Sequence, residues 1–457
     1  MARLAQAAGA ELDLVLADAD RALARGYPGD RPGRQPVHTA YVPADRFGGD
    51  LPGQWGRQAL QALQHTVPRA TDIAAVMGLP LALAADVQAR VAGKLAAEPV
   101  EDLRLDFEDG YGDRGDAAED ADAQSAAAAL AALCALSAGA TAASAPPFCG
   151  LRCKSLEPGT RRRAIATLDI FIGELAARGP LPAGFVVTLP KVTSPDQVRA
   201  MSLLCARLEE EHGLADGQLR YEVQAETPQL ILGADGAATI ARCLHEGGGR
   251  LTGVHYGTYD YSAALGIAAQ YQSMEHPAAD HARAVLQVAA AGTGVRLSDG
   301  SSNVLPVGSP DEVRAAWRRH ARLVRRSLER GFYQGWDLHP AQLVSRYAAT
   351  YGFFRAGLAA ACERLAGYVS RTASGTLEEP ATARALAGYL VRGLDCGAVG
   401  ADEVAARAGL DRAALTALSR AGLSQVAPDT GLEQGGPDLG AGERGSGMAD
   451  SRDGAGA

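Results

Sequence analysis

The chain has 457 residues, which is too long for one average domain but suits a single large α/β barrel with extensions. Hydrophobic residues make up 47% and charged residues 21%, as is ordinary for a globular enzyme. The formal net charge of −9 argues against nucleic acid or an anionic membrane as a partner of the chain as a whole.

The N-terminal residues carry acids at helical spacing and lack the uninterrupted apolar centre of a signal peptide. No apolar stretch reaches the roughly 18 residues needed to span a bilayer. The 7 cysteines are odd in number and scattered, which is typical of reduced thiols. Cys149 and Cys153 lie close together, but no second pair with zinc spacing accompanies them. We therefore expect a cytoplasmic protein with a helical extension over 1–37 and no zinc site.

Short apolar segments of strand character alternate with helical patterns along most of the chain. The segments are 38–44, 102–108, 150–153, 185–191, 219–226, 251–257, 294–298 and 335–340. Several are continuously apolar, as in parallel strands covered on both faces. The clearest helical patterns lie at 116–138, 195–212 and 310–330. Eight β/α units predict a (β/α)8 TIM barrel over 38–345 with an insertion over 45–101, and an open doubly wound sheet is the alternative.

Beyond about residue 345 the pattern is helical only, which predicts a C-terminal helical region over 346–425. Segment 397–422 resembles a helix-turn-helix with glycine in the turn. Its second helix offers only Arg412 and Arg420 to a phosphate backbone, so a lid or an oligomer contact is favoured over DNA binding. Residues 426–457 are dominated by Gly, Asp, Ser and Pro, and we expect a disordered tail there.

Charged side chains follow many of the predicted strands, where functional groups of a barrel gather. They are Glu108, Asp109, Arg152, Lys154, Lys191, Glu226, Asp260 and His339. Any one of them alone is explained as a helix cap or a solvated turn. Six charged strand ends in one barrel favour an active-site mouth instead.

Glu226 and Asp260 lie about one β/α unit apart, so they would project from adjacent strands. Mg²⁺ takes one or two carboxylates and leaves room for substrate oxygens. A metal there could chelate a 2-oxo acid and stabilise the enolate formed when a carbon–carbon bond breaks or forms. Arg152, across the mouth, could hold the oxyanion in a charge-assisted pair.

A series of motifs follows in one order along about two thirds of the chain. They are YVPADRF (41–47), LDFEDGYGD (105–113), LRCK (151–154), TLPKVTSPDQV (188–198), AETPQ (225–229), GTYDYSAALG (257–266), SDG (298–300) and GWDLHPAQL (335–343). Together they resemble the citrate lyase beta-subunit / HpcH–HpaI aldolase family of phosphoenolpyruvate/pyruvate-type TIM barrels. The motif around Asp260 is closer still to that of malate synthases.

The resemblance implies roles for the charged strand ends. Glu226 and Asp260 would be ligands of Mg²⁺, or of Mn²⁺ in its place. Arg152 would contact the substrate carboxylate or enolate oxygen. Glu108 and Asp109 would lie beside the metal and orient its waters.

Lys191 and His339 are expected to line the same site, Lys191 among the catalytic groups and His339 towards the substrate. The resemblance implies a magnesium-dependent carbon–carbon lyase or condensing enzyme. Its substrate would be a 2-oxo acid or an acyl thioester, for example of coenzyme A, and the protein would be a homo-oligomer. The alternatives are a malyl-type thioester hydrolase and a non-catalytic barrel that serves as a scaffold.

Overall fold

A computed structural model describes residues 3–137, 145–370 and 379–420. These residues belong to one compact unit, Met1–Ser424. The tail predicted over 426–457 lies outside the described residues.

Eight parallel strands form one sheet in the described part of the chain. They are β1 (His38–Pro43), β2 (Asp102–Asp106), β3 (Phe148–Arg152), β4 (Phe185–Leu189), β5 (Arg220–Ala225), β6 (Leu251–Tyr256), β7 (Arg296–Ser298) and β8 (Gly335–Asp337). Their order is β7-β6-β5-β4-β3-β2-β1-β8, so each strand lies beside its neighbour in sequence and β8 pairs with β1. Each sequence-predicted strand is found within three residues of its expected bounds.

The two edges of the sheet come together at β7 and β8. The backbone N–H of Asp299 donates to the carbonyl of Gln334 at 2.8 Å, and that of Trp336 donates to Gly300 at 3.4 Å. The sheet therefore forms a nearly closed barrel surrounded by helices. This confirms the (β/α)8 prediction, and the open doubly wound alternative is wrong.

The strands carry apolar side chains outward and polar side chains inward. On β2, Leu103 and Leu105 are fully buried, whereas Arg104 reaches across the lumen to Thr188 of β4 and Glu222 of β5, at 2.6 Å in each case. The period of two in a strand explains this division. The interior of the barrel is thus a hydrogen-bonded polar layer, and the strands are less uniformly apolar than the sequence pattern indicated.

Helices connect the strands and extend the barrel. They are α1 (Arg3–Gly26), α2 (Leu51–Thr66), α3 (Ala70–Met77), α4 (Leu81–Ala97), α5 (Asp116–Ser137), α6 (Arg161–Arg178), α7 (Pro195–Glu211), α8 (Pro228–Ile231), α9 (Thr239–Glu246), α10 (Thr258–Ala264), α11 (Pro277–Ala290), α12 (Pro310–Glu329), α13 (Pro340–Ser370), α14 (Pro380–Asp395), α15 (Ala401–Ala408) and α16 (Arg412–Arg420). The three helices predicted most clearly match α5, α7 and α12 within one residue at each end.

The predicted insertion contains α2, α3 and α4, which pack against one another and against α13. Helix α13 runs without a break across residue 345, where the barrel was expected to end. Helices α15 and α16 are joined by a short turn in which Gly409 takes the left-handed conformation, at φ 69°. Among the described residues, no single helix has the length and apolar character to span a membrane. The pair α3 and α4, bent by 100°, meets that test jointly by length and composition alone.

Candidate active site at the carboxyl end of the barrel

Arg152 and Asp106 form the fixed wall of the site. They are the last residues of neighbouring strands and lie opposite each other in the β2–β3 register. The Arg152 guanidinium donates from Nε and Nη2 to the two oxygens of Asp106, at 2.6 Å each. This two-point ion pair fixes the plane of the guanidinium. The remaining nitrogen, Nη1, lies 3.2 Å from Glu108 and 3.4 Å from the side-chain oxygen of Gln224.

Lys191 is the centre of a ring of carboxylates. Its Nζ lies 2.9 Å from Asp260, 3.3 Å from Asp109, 3.4 Å from Glu108 and 3.6 Å from Glu226. Burial opposes its charge, but the acids outweigh burial and raise the pKa of the ammonium above its usual value. Lys191 is therefore charged at any physiological pH.

The backbone of Lys191 is also unusual, because its φ of 53° is the one positive value found among the described non-glycine residues. Such a conformation costs free energy that the surroundings must offset. The backbone N–H donates to Glu226 at 2.8 Å, which helps to hold the turn. The strand end at 185–191 thus places both the amide and the ammonium of one residue against the same acid.

Glu226 follows β5 and is 2% exposed. Its second oxygen accepts a hydrogen bond from the amide of Gln224 at 3.1 Å. Gly257 makes room for it, because a Cβ at that position would lie 2.5 Å from the Cβ of Glu226. Burial raises the pKa of the Glu226 carboxyl from 4.5 to about 7, and the negative charge of Asp260 adds to the shift against the effect of Lys191.

The pKa values of Glu108 and Asp109 are shifted in opposite directions, although the two residues are adjacent. Burial raises the pKa of Glu108 to about 8, with Asp109 and Glu226 adding to the shift against Arg152 and Lys191. Burial also opposes ionisation of Asp109, but the charges of Arg152 and Lys191 outweigh it and lower the pKa of that carboxyl. At neutral pH the pair therefore holds one proton and one negative charge, which suits acid–base chemistry.

The carboxylate oxygens around Lys191 are of the chemical kind that binds a hard divalent cation. Glu226, just after β5, and Asp260, in the first turn of α10 rather than on a strand as predicted, supply carboxylate oxygens, which Mg²⁺ prefers. As they stand, no group of three or more His, Cys, Asp or Glu side chains within 3–137, 145–370 and 379–420 has metal-site geometry. The acids surround the Lys191 ammonium, which takes the central cation position. The side chain of Lys191 is partly exposed.

The structure thus brings together six of the residues proposed from sequence: Glu108, Asp109, Arg152, Lys191, Glu226 and Asp260. Lys154, also at a strand end, turns outward and donates to Glu119 at 2.6 Å. The imidazole Nδ1 of His339 accepts from the N–H of Ala341 at 3.2 Å, as a cap of α13. Its contact with substrate stays a prediction.

Three further residues of the site were not predicted from the sequence. Asp106 orients Arg152, Gln224 joins Arg152 to Glu226, and the ring of Tyr41 lies 4.9 Å from the Arg152 guanidinium. The alternation of inward and outward residues along a strand is a sequence signal that identifies two of these three residues. Asp106 lies two residues before Glu108, and Gln224 two residues before Glu226, so each shares the inward face with a residue that was identified.

The fold and this mouth define a TIM-barrel protein with an acid-rich, arginine-bearing centre at the carboxyl ends of its strands. A sequence model of the family described as "Domain of unknown function (DUF6986)" matches residues 16–423. The chain therefore belongs to the DUF6986 family. No curated protein matches the chain.

Solved structures with a similar chain course include a malate synthase from Haloferax volcanii, in a magnesium/glyoxylate complex. It is 16% identical, with 86% of this chain and 100% of that chain covered and a TM-score of 0.45. A HpcH/HpaI aldolase/citrate lyase family protein from Burkholderia cenocepacia is 14% identical, covering 72% and 95%, with a TM-score of 0.38. CitE from Mycobacterium tuberculosis, with magnesium, acetoacetate and coenzyme A, is 17% identical, covering 83% and 99%, with a TM-score of 0.41.

Proposed function

We propose that this protein is a Mg²⁺-dependent carbon–carbon lyase or condensing enzyme that acts on a 2-oxo acid or an acyl thioester. The observation that carries the proposal is the ring of four carboxylates around one cation position, next to an arginine that is fixed by Asp106. The eight motifs that resemble the citrate lyase beta-subunit / HpcH–HpaI family support the same chemistry.

In this proposal Glu226 and Asp260 would hold the metal. Bound Mg²⁺ would supply positive charge beside the carbonyl and carboxylate oxygens of the substrate, which favours an enolate over the ketone or ester. Lys191 would move away from Glu226 and Asp260 when the metal enters and would stay paired with Asp109, which is exposed and lies 3.3 Å away.

Arg152 would bind the substrate carboxylate or the enolate oxygen through Nη1, the nitrogen that Asp106 does not engage. Since Asp106 fixes the guanidinium beforehand, little reorganisation is needed when charge develops. Glu108 would exchange a proton with the substrate as the general acid–base group. Its raised pKa of about 8 lets it both donate and accept a proton near neutral pH. Tyr41 is fully buried against Arg152, and its hydroxyl has no partner among the described residues, so it could donate to the substrate.

A screen of products tests the reaction class. The purified protein with Mg²⁺ would be offered hydroxyacyl thioesters of coenzyme A and, in the reverse direction, acetyl thioester with glyoxylate or pyruvate. A lyase releases a new carbonyl compound, whereas the alternative, a malyl-type thioester hydrolase, releases only free acid and thiol. Arg152→Lys should lower kcat/KM by at least about a hundredfold, since it loses the planar two-point geometry. If neither product forms with any thioester or oxo acid, the alternative of a non-catalytic scaffold gains support.

A further inference from the structure

A second polar cavity lies at the opposite, amino-terminal end of the barrel. Its volume is about 570 Å³. The segment 31–36 before β1, the turn 181–184 before β4 and the residues 217–220 at the start of β5 surround it. Its floor consists of the first inward-facing residues of the strands. Glu222 on the floor and Glu226 at the other end are four residues apart on one strand, or about 13 Å. The cavity is therefore separate from the candidate active site.

Three arginines at the rim have no acidic partner in the part of the chain that the structure describes. Arg31 donates to the carbonyls of Gly249 and Leu251, at 3.0 and 3.3 Å, and Arg296 donates to the carbonyl of Arg34 at 2.6 Å. Arg220 is exposed, and no carboxylate within the described ranges lies within 4.0 Å of any of the three guanidinium groups. Burial first, and then repulsion between neighbouring arginines, lowers the pKa of Arg31 and of Arg296. This rim is locally cationic on a chain whose net charge is −9.

The floor holds buried polar atoms without a protein partner. Arg104 pairs with Asp102 at 2.7 Å and with Glu222 at 2.6 Å, and His255 lies 2.8 Å from the other Glu222 oxygen. Within the described part of the chain, Asp102 Oδ1, Arg104 Nε and His255 Nδ1 still lack a hydrogen bond. These three side chains line the cavity and are at most 2% exposed. Buried polar groups are seldom left unpaired, so these three atoms are available to hydrogen-bond a bound molecule.

We propose that this cavity binds a small organic or inorganic oxyanion, with its phosphate or carboxylate groups on Arg31, Arg220 and Arg296. Guanidinium groups recognise both kinds of oxyanion through paired N–H donors. The cavity volume lies in the range of small-molecule sites, and the ion-paired floor would hydrogen-bond the polar part of the ligand. The charge balance favours an anion, because Arg104 pairs with Glu222 and burial raises the pKa of the Asp102 carboxyl, so the floor adds little negative charge below the three rim arginines.

Titration calorimetry on the full-length protein at constant ionic strength tests the proposal, with inorganic phosphate, pyrophosphate and citrate as probes. We expect saturable binding of at least one probe, weakened about tenfold or more in Arg220→Gln, as for loss of one charge-assisted hydrogen bond. Arg207→Gln on α7 removes the same charge from an exposed site and should bind as the wild type does. A preference for pyrophosphate or for citrate would identify the ligand as a phosphate or a polycarboxylate.

Arg220 is exposed at the start of β5, so its substitution should leave the melting temperature unchanged. Glu226→Gln serves as a second control, because it alters only the other end of the barrel. Three results would overturn the proposal. The first is no saturable binding of any probe, which would mean that only water hydrogen-bonds the floor of the cavity. The second is equal binding by Arg220→Gln and wild type, and the third is loss of binding in Glu226→Gln.

Discussion

At the residue scale, Lys191 decides the electrostatics of the candidate site. One ammonium lies among four carboxyl groups, at distances between 2.9 and 3.6 Å. A divalent cation would compete for the same oxygens. The ammonium of Lys191 thus occupies the position proposed for the metal. A variant that lacks this ammonium distinguishes the contribution of Lys191 from that of the metal.

Replacing Lys191 with Met should weaken the folded state in the absence of metal, because it leaves the carboxylates unbalanced. We expect the melting temperature to fall by roughly 2 °C or more without Mg²⁺. Millimolar Mg²⁺ should restore it and should bind more tightly than to wild type. Lys154→Met, which breaks the ion pair with buried Glu119, should also melt earlier but gain nothing from Mg²⁺. Equal responses of the two variants to Mg²⁺ would contradict the cation-competition account.

The raised pKa of Glu226 predicts how stability depends on pH. The carboxyl has a pKa of about 7 in the folded protein, compared with an ordinary 4.5, so the folded state binds more protons between these values. Stability contributed by Glu226 is present below pH 4.5 and is lost as the pH rises through about 7. Urea unfolding at pH 5, 6, 7 and 8 without metal should show a smaller loss for Glu226→Gln than for wild type. Identical pH profiles would show that the group is not shifted.

The same residue should make metal binding pH-dependent, since Mg²⁺ requires the ionised carboxylate. Affinity should rise as the pH increases through about 7. The sequence could identify Glu226 because an acid follows an apolar strand, but it could not give this pKa. The burial of this carboxyl and the charges of Lys191 and Asp260 around it depend on chain segments that come together only in the barrel.

At the element scale, the sequence predicted the strands and the main helices because their apolar periodicity is strong. The sequence did not predict which residues of each strand face the interior of the barrel and which face the helices. The inward residues Asp102, Arg104 and Glu222 are charged and mutually paired, so their polarity is compatible with a buried position. The ion pair of Arg104 with Glu222 joins residues far apart in sequence, and no local pattern reveals it. The pairing of Asp106 with Arg152 was not predicted for the same reason, since Arg152 lies on the next strand.

Helix α13 is fastened to the barrel by a buried ion cluster around Asp337, at the end of β8. Arg346 of α13 lies 3.0 Å from this carboxylate, with His38 at 3.0 Å and His320 at 3.3 Å. Arg346→Met should lower the free energy of unfolding in urea by about 3–5 kcal/mol, because it leaves a buried charge short of its strongest partner. Arg207→Met, which breaks an exposed pair with Glu210, should cost about 1 kcal/mol or less. A loss below about 1 kcal/mol for Arg346→Met would mean that the two histidines alone satisfy Asp337.

At the scale of the whole molecule, the number and spacing of the β/α units indicated a barrel, but its closure could not be read from periodicity. Closure rests on the contacts between β7 and β8, whose strands are only three residues long. The C-terminal boundary was equally hidden, because α13 both completes the barrel and extends beyond it. The homo-oligomer expected from the family resemblance stays a prediction.

Helix α1 offers a test of that prediction. Leu12, Leu16 and Leu23 lie on one face of the helix and are 56%, 49% and 60% exposed. An apolar stripe of this kind is typical of a subunit contact. If α1 forms one, light scattering after size exclusion should find an oligomer for wild type and monomers for the double variant Leu12→Glu, Leu16→Glu. Asp13→Lys, a charge change on the same helix outside this stripe, should keep the oligomer. A monomeric wild type would refute the expectation.

The central claim is that the ring of acids at the carboxyl end of the barrel holds Mg²⁺ for a 2-oxo acid. Titration calorimetry of Mg²⁺ with and without pyruvate, on wild type, Glu226→Gln and the exposed control Glu210→Gln, tests it most directly. The account predicts that wild type and Glu210→Gln bind Mg²⁺ and that pyruvate tightens this binding, whereas Glu226→Gln binds no metal. Absence of Mg²⁺ binding in all three proteins, with pyruvate present, would contradict it.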